Sequence, residues 1–411
     1  MAVWLVGAVR AVETAGQPAT KWPCRLGIVV FQFDDGSVGH YTHAFRILQK
    51  YRLKGSFGVV TGILDRPGRL TRPQVVEMHR AGHEIHDHTL DHNAALWGDP
   101  SRRDEWVKHI DQSLTILKDL GITTRGWNQP GGNGQNWTEQ LRLTLLPHYD
   151  YATGRVALRP EQVWNMHWHL KDDPLSLGRG GVSSWGHNAG KAGPEQEVAV
   201  VCTRIADGIQ QGLVVIPLWH VVQDADRSAW GLEEVCKFVQ RHQIPSMVMA
   251  DAVRAVQNPR QYFAGSIEQM PNPSFAADYD ADGRPDGYVN CRYAPPETAA
   301  GSGRVAEWTG QTASWIYGPE PGPTRLALTA RTADGRKCTV TPILTVTSID
   351  ASYRYRTPQG QRLSPLAVGL DWQTLDTSLI VGADVDRIKL EFEIVPAGAL
   401  YVRSASWCLE K

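Results

Sequence analysis

From residue 27 to residue 260, short apolar runs alternate with stretches of helical period, and beyond residue 267 the period drops to two. In the first part, residues 27–33 read as a strand, 41–53 as a helix and 56–61 as a strand. A helix follows over 71–81, with Thr71 as N-cap and Pro73 in its first turn. Residues 83–88 then form a strand. The helix over 103–120 carries Trp106, Ile110, Leu114 and Leu117 on one face. Residues 214–219 are a nearly continuous apolar strand, followed by a helix over 232–241 and a strand over 245–249. Such alternation implies an α/β fold with a parallel sheet covered by helices, open or closed into a barrel.

In the second part, residues 387–394 alternate charged and apolar side chains without a break, and 338–340 and 344–347 behave alike. This pattern predicts a C-terminal all-β sandwich of roughly 140 residues. The boundary falls in Met270-Pro271-Asn272-Pro273, dividing the chain into 1–267 and 268–411. There is no internal repeat and no low-complexity tract.

A chain of 411 residues has room for two or three domains, and 42% hydrophobic with 21% charged residues is an ordinary globular composition. A formal net charge of −1 gives no broad attraction for nucleic acid or anionic lipid, so neither is an expected partner. No segment is long enough to span a membrane. The apolar stretch 2–9 is broken by Arg10 and has no basic residue before it beyond the start, a poor signal peptide. A cleaved leader and a first strand or arm both remain open. Six cysteines (Cys24, Cys202, Cys236, Cys291, Cys338, Cys408) show no CxxC spacing, which argues against a structural zinc site or a dithiol motif.

The chemistry sits where predicted strands end. FQFDDGSVGH (31–40) drives an apolar run onto adjacent carboxylates, Asp34 and Asp35. Like charges at that spacing resist joint ionisation unless a cation or proton intervenes, so the pair is either a solvated turn or one side of a cation site. The strand over 83–88 ends in HDHTLDH, with His88 and His92 four residues apart. A helical turn starting at His88 would put both imidazoles on one side, and Asp35 would complete a His-His-Asp set suited to Zn²⁺ or another transition ion. His79 and His83 repeat the spacing and read as structural. The strand over 214–219 delivers His220.

FDDG (33–36), GHEIHDHTLDH (82–92), a Pro-Gly loop and PLWH (217–220) together resemble the polysaccharide deacetylases of carbohydrate esterase family 4, over residues 27–255. The resemblance implies a distorted (β/α)7 barrel. It implies Asp34 as catalytic base, Asp35, His88 and His92 as metal ligands, and His220 as catalytic acid. The ion would be Zn²⁺, with Co²⁺, Ni²⁺ or Mn²⁺ as alternatives, and the substrate an acetylated glycan. Amide or ester hydrolysis follows: Asp34 takes a proton from the attacking water and His220 donates one to the leaving group. The substrate class implies an extracytoplasmic setting.

Two departures stand out. The family's third motif reads Arg-x-Pro, an aromatic, then Gly, whereas this chain has Asn128-Gln129-Pro130-Gly131-Gly132. The bracing arginine is replaced by Asn128, for which Arg125 or Arg179 could substitute, and the aromatic by Gly131. The Asp-rich fourth motif has no clean counterpart; Asp172-Asp173 and Val182-Ser183-Ser184-Trp185 come nearest. Asn128, Pro130, Gly131, Trp185 and Trp219 are the expected substrate-groove residues, while His167 and His169 with Trp168 either line the groove or pack.

In the second part, Asp278, Asp280, Asp282 and Asp286, with Gly283, have the spacing that opens a calcium loop, although Val289 replaces its closing glutamate. A structural Ca²⁺ and a solvated turn are both compatible. The leading expectation is a metal-dependent N-deacetylase of amino-sugar polymers or oligomers. The alternatives are an O-acetyl esterase or other deacylase on the same barrel, and a non-catalytic glycan-binding protein.

Overall fold

Apolar strands with an occasional polar residue build a sheet whose two faces are both covered. The structure is a computed structural model that describes residues 27–131, 138–154, 167–168, 175, 177–178, 180–181, 194–210, 214–242, 244–257, 288–294, 305–317, 321–333, 335–348 and 356–409. The first half contains β1 (Ile28–Val29), β2 (Phe31–Phe33), β3 (Gly55–Val59), β4 (Glu84–Asp87), β5 (Gly126–Asn128), β6 (Tyr151–Gly154), β7 (His167–Trp168), β8 (Leu177–Gly178), β9 (Gly180–Gly181), β10 (Val214–Val215) and β11 (Pro217–Trp219). Its helices are α1 (Arg46–Lys50), which continues a π-helical turn His40–Phe45, α2 (Arg72–Arg80), α3 (Ala94–Trp97), α4 (Arg103–Asp119), α5 (Glu139–Leu145), α6 (Pro194–Gln210), α7 (Ser228–Arg241) and α8 (Met249–Gln257).

The main sheet runs β8-β6-β5-β4-β3-β2-β11-β9, every neighbouring pair parallel. Its two outermost strands, β8 and β9, are separated by residue 179 alone. Two residues of chain reach at most about 7 Å, so the sheet curls until its edges meet. Eight short strands lie on this path among the described residues; the expected seven results only if β8 and β9 are taken as one interrupted strand. A smaller sheet runs β1-β10-β7. The strand expected over 245–249 is reduced to one bridge, Ser246 to Val29, because Met249 already opens α8.

The period-two character of the strands divides two environments. Phe31, Phe33, Phe57, Val59 and Ile85 belong to one buried cluster with Leu48, Val75 and Leu232 from the helices. The intervening positions Gln32, Ser56 and His86, with Asn128 and Thr153, are polar and equally buried. Helix α2 starts as expected: Thr71 accepts from the Gln74 N–H, and the Gln74 side chain accepts from the Thr71 N–H. On α4, Trp106, Ile110 and Leu117 are buried and Leu114 is half-buried.

The second half is all-β, as its pattern predicts. Strands β12 (Tyr288–Tyr293), β13 (Ala306–Tyr317), β14 (Gly322–Thr332), β15 (Cys338–Ser348), β16 (Gln359–Arg362), β17 (Leu366–Val368), β18 (Gln373–Val381), β19 (Val385–Val395) and β20 (Ala399–Leu409) pair antiparallel, in the order β16-β15-β19-β13-β20-β14-β18 with β12 added on β13 and β17 on β15. Strand β13 pairs with β20 over Ala306 to Thr309 and with β19 over Thr312 to Tyr317. Ile388, Leu390, Phe392 and Ile394, the apolar positions of the alternating run, enter a single buried cluster with Trp308 and Trp407. Residues 1–26, the boundary at 267–273 and the acidic loop 278–286 lie outside the described residues. Among the described residues no helix is long and apolar enough to cross a membrane.

His83, read from the sequence as structural, is 2% exposed between Phe45 and Phe57, and its Nδ1 accepts the Gly55 N–H at 3.1 Å. Burial, helped by Lys54, pushes its imidazole down to about 3. The native state therefore keeps His83 neutral while the unfolded chain protonates near 6.5, so this contribution is complete above pH 6.5 and fades as pH falls towards 3. Relative to His83→Gln, the native protein is expected to lose about 2 kcal/mol of stability between pH 7 and pH 5, at about 1.4 kcal/mol per unit. Urea titrations of both proteins at the two pH values check this; a gap unchanged with pH would refute it.

Candidate metal and proton-transfer site

Two adjacent carboxylates resist joint ionisation in one pocket, and the backbone turns them to different partners. The Asp34 N–H extends the β2–β11 ladder by donating to the Trp219 carbonyl at 3.0 Å, and its side chain is fully buried. Asp35 then adopts φ +77, a left-handed conformation that disfavours a side chain with a Cβ. Arg69 holds this turn by donating to the Asp35 carbonyl at 2.9 Å. Asp34 consequently points into the interior, while Asp35 keeps 27% of its side chain exposed.

The histidines come from the end of β4. The expected helical turn at His88 does not form, because Thr89 takes φ +69 and His92 takes φ +60. A β-branched residue at positive φ is a genuine outlier, and here Asp87 enforces it. The Asp87 carboxylate is fully buried and accepts from the Thr89 N–H at 2.8 Å, the Ser113 hydroxyl at 2.7 Å and the Tyr149 hydroxyl at 2.5 Å. Burial pushes the Asp87 carboxyl up, against these three hydrogen bonds. The Thr89 hydroxyl in turn accepts the His92 N–H at 3.0 Å. The two imidazoles finish 4.9 Å apart at 72°. Asp87 was not singled out in the sequence; the available signal was a carboxylate beside a histidine at a strand end.

Asp35, His88 and His92 each offer a ligand atom, all within 4.8 Å of one another. Asp35 Oδ1 lies 3.1 Å from His88 Nε2 and 3.2 Å from His92 Nε2. Tetrahedral ligands at about 2.0–2.1 Å from an ion stand about 3.3 Å apart, so the donor set fits a transition cation. The second nitrogen of His88 supports the fit, since Nδ1 lies 3.1 Å from the Asn128 carbonyl and can donate there, which aims Nε2 at Asp35, as a proton donor without an ion and as a ligand with one. Burial would raise the Asp35 carboxyl, but the hydrogen bonds to His88 and His92 prevail and hold it far below the usual carboxylate range. The same hydrogen bond raises the His92 imidazole.

Asn128 stands where an arginine was expected, and its Nδ2 donates to Asp34 Oδ1 at 2.6 Å, joined by Gln32 Nε2 at 3.2 Å. Of the two sequence candidates for a replacement arginine, only Arg125 falls among the described residues. Arg125 pairs with Asp150 on the surface, and Arg179 lies outside the described residues. The other Asp34 oxygen, Oδ2, is 4.0 Å from His88 Nε2. His220 follows β11 and is half-buried, and its charge helps lower Asp35. Its carbonyl lies 3.0 Å from Nε2 of His40, a fully buried imidazole that burial pushes down to about 4.

Several expected groove residues are placed otherwise. The Trp219 ring is fully buried and stacks on Phe31 and Phe33 at 5.9 and 5.5 Å, so it is core rather than groove. Asn128 is also fully buried and supports Asp34 from beneath instead of lining a surface. Pro130 is buried and Gly131 is exposed at φ +59. A Cβ on Gly131 would meet the Ala94 Cβ at 2.8 Å, which explains why no aromatic stands there. His167 and Trp168 form β7, paired with Val215 and Val214. His169, Asp172, Asp173, Trp185 and the calcium candidates Asp278, Asp280, Asp282 and Asp286 lie outside the described residues.

Replacing Asp87 by Ala should release the Thr89 turn and weaken binding of a divalent cation about 10–100-fold, whereas loss of His88 should cost more than that. Competition with a zinc-chelating dye measures both. Unchanged affinity in Asp87→Ala would show that the loop holds its shape without the carboxylate.

Residues 25–145 match the family model described as polysaccharide deacetylase. A curated relative, "Putative polysaccharide deacetylase YxkH" of Bacillus subtilis (strain 168), is 34% identical over 64 residues. That stretch is 16% of this chain and 23% of the relative, so the chain matches under a quarter of the relative's length. A family 4 acetyl xylan esterase from Clostridium thermocellum, solved in complex with a cobalt ion, is 19% identical with a TM-score of 0.39, covering 55% of this chain and 90% of that one. Peptidoglycan deacetylase PdaC from Bacillus subtilis is 16% identical with a TM-score of 0.39, covering 57% and 94%. The matched residues 25–145 carry both the Asp34–Asp35 and the His88–His92 pairs, so the likeness to the polysaccharide deacetylase family model spans the candidate site.

Proposed function

We propose that this protein is a metal-dependent hydrolase that removes acetyl groups from a glycan, with N-acetylated amino-sugar polymers or oligomers as its substrate class and Zn²⁺ as the favoured ion. The observation that carries this reading is the position of a buried carboxylate, Asp34, with one oxygen 4.0 Å from His88 in the Asp35–His88–His92 group. A divalent cation held by those three residues supplies a Lewis acid that polarises the acetyl carbonyl and acidifies water. Asp34 accepts the proton of the attacking water. The Asn128 and Gln32 amides hold its Oδ1, and Oδ2 lies on the His88 side. His220, protonated, gives a proton to the departing amine as the C–N bond breaks. The same reading assigns residues 1–267 to catalysis and 268–411 to an accessory glycan-binding role, with Ca²⁺ at Asp278, Asp280, Asp282 and Asp286, and sets the protein outside the cytoplasm. O-acetyl ester cleavage by the same groups is the second reading. It is favoured by the exposed Gly131, which leaves the groove wall without an aromatic platform.

Acetate release from acetylated chito-oligomers and from acetyl xylan tests both readings. Activity should vanish with chelator and return with Zn²⁺. Asp34→Asn should lower kcat by about 10²–10⁴-fold without changing metal content, and His220→Gln should lower it too. Full activity after chelation and dialysis, or glycan binding without turnover, would overturn the proposal.

A further inference from the structure

Behind Asp34, a line of buried polar side chains runs on from Asn128 through residues to which the proposed chemistry gives no role. Asn128 Nδ2 lies 2.6 Å from Asp34 Oδ1 and 2.6 Å from His86 Nε2. Asn128 Oδ1 accepts from the Thr153 hydroxyl, which fixes the amide with its nitrogen towards Asp34. A primary amide has two N–H groups, so one serves the carboxylate and the other serves His86. His86 Nε2 must then be the acceptor, and the ring proton sits on Nδ1, which faces the Tyr151 hydroxyl at 3.5 Å. Tyr151 donates onward to Glu84 Oε1 at 2.8 Å. Glu84 Oε2 accepts from Ser56 at 2.8 Å and from the Ala250 N–H at 3.1 Å, and Ser56 accepts the Met249 N–H at 2.8 Å. Donors and acceptors alternate consistently from Asp34 to the start of α8.

Close approach confirms that this meeting point is built. A Cβ on Gly58 would come within 2.7 Å of Asn128 Nδ2, 2.9 Å of His86 Nε2 and 3.1 Å of Asp34 Oδ1. The three groups converge over a residue that has no side chain to obstruct them. Asn128, His86 and Tyr151 are all at most 1% exposed. Packing alone would be met by apolar side chains, whereas buried polar groups need every partner in place.

We propose that His86 is a positioning residue for Asp34: it takes the second N–H of Asn128, and the anchor through Tyr151 to Glu84 keeps that amide aimed at the carboxylate. A neutral amide thereby does the bracing that the missing arginine would do. The inference rests on reading Asp34 as the proton acceptor. Without the His86 acceptor, the spare N–H is left unpaired in a dry interior, and the amide relaxes away from Asp34.

Kinetics and NMR test this separately. His86→Leu should lower kcat up to about 100-fold, with KM and metal affinity within about twofold. His86→Gln, which restores an acceptor oxygen, should recover most of the loss. The Asn128→Ala variant and the double variant with His86→Leu should be equally slow, because His86 acts only through Asn128. In ¹⁵N spectra of the wild-type protein, His86 should carry its proton on Nδ1, and the Asn128 side-chain amide should be protected from exchange. That protection should disappear in His86→Leu. Protonation on Nε2, or losses that multiply in the double variant, would overturn the proposal. The NMR result stands whether or not acetate is released, so failure of the deacetylase reading would be seen independently.

Discussion

Two neighbouring negative charges that must not neutralise each other's use are the constraint on which the first half is organised. The left-handed turn at Asp35 resolves it by sending one carboxylate inward to amide donors and the other outward to imidazoles. Each carboxylate then meets a different chemistry within one residue of chain. Asp34 is surrounded by neutral donors, and Asp35 by groups whose lone pairs also suit a cation. A single backbone torsion thus separates a carboxylate held by amides from one facing two imidazoles.

The sheet extends this division. One face packs aromatic rings against helices, with Phe33 and Phe57 stacked at 4.6 Å. The other face carries Gln32, Ser56, His86, Asn128 and Thr153 in a buried, hydrogen-bonded layer. The apolar face accounts for the burial that holds the sheet together, and the polar face orients the site. Such a layer is stable only when its hydrogen bonds are satisfied together, which ties the geometry of Asp34 to strands distant in sequence.

Much of this was legible in the residues. The alternation of strand and helix predicted the parallel sheet, and the period-two run ending at Ile394 predicted the antiparallel one. The Asp35, His88 and His92 group was recognisable because Asp35 and His88 follow strands directly and His92 lies four residues beyond His88. What failed did so for tertiary reasons. The turn at Thr89 depends on Asp87, Ser113 and Tyr149, which lie on three separate elements. Trp219 looked available because a strand end suggests a groove, but its ring turned to the apolar face. The replacement for the arginine was sought among other arginines, whereas the short amide already at that position reaches Asp34 just beyond β2, His86 on β4 and Thr153 on β6.

The passage from β8 to β9 has a mechanical consequence. The ring's last edge is tied to its first by one residue of main chain. Because β8 pairs with β6 and β9 with β11, one short run of chain is hydrogen-bonded to both sides of the sheet, and the two edges cannot drift apart without breaking one of those ladders.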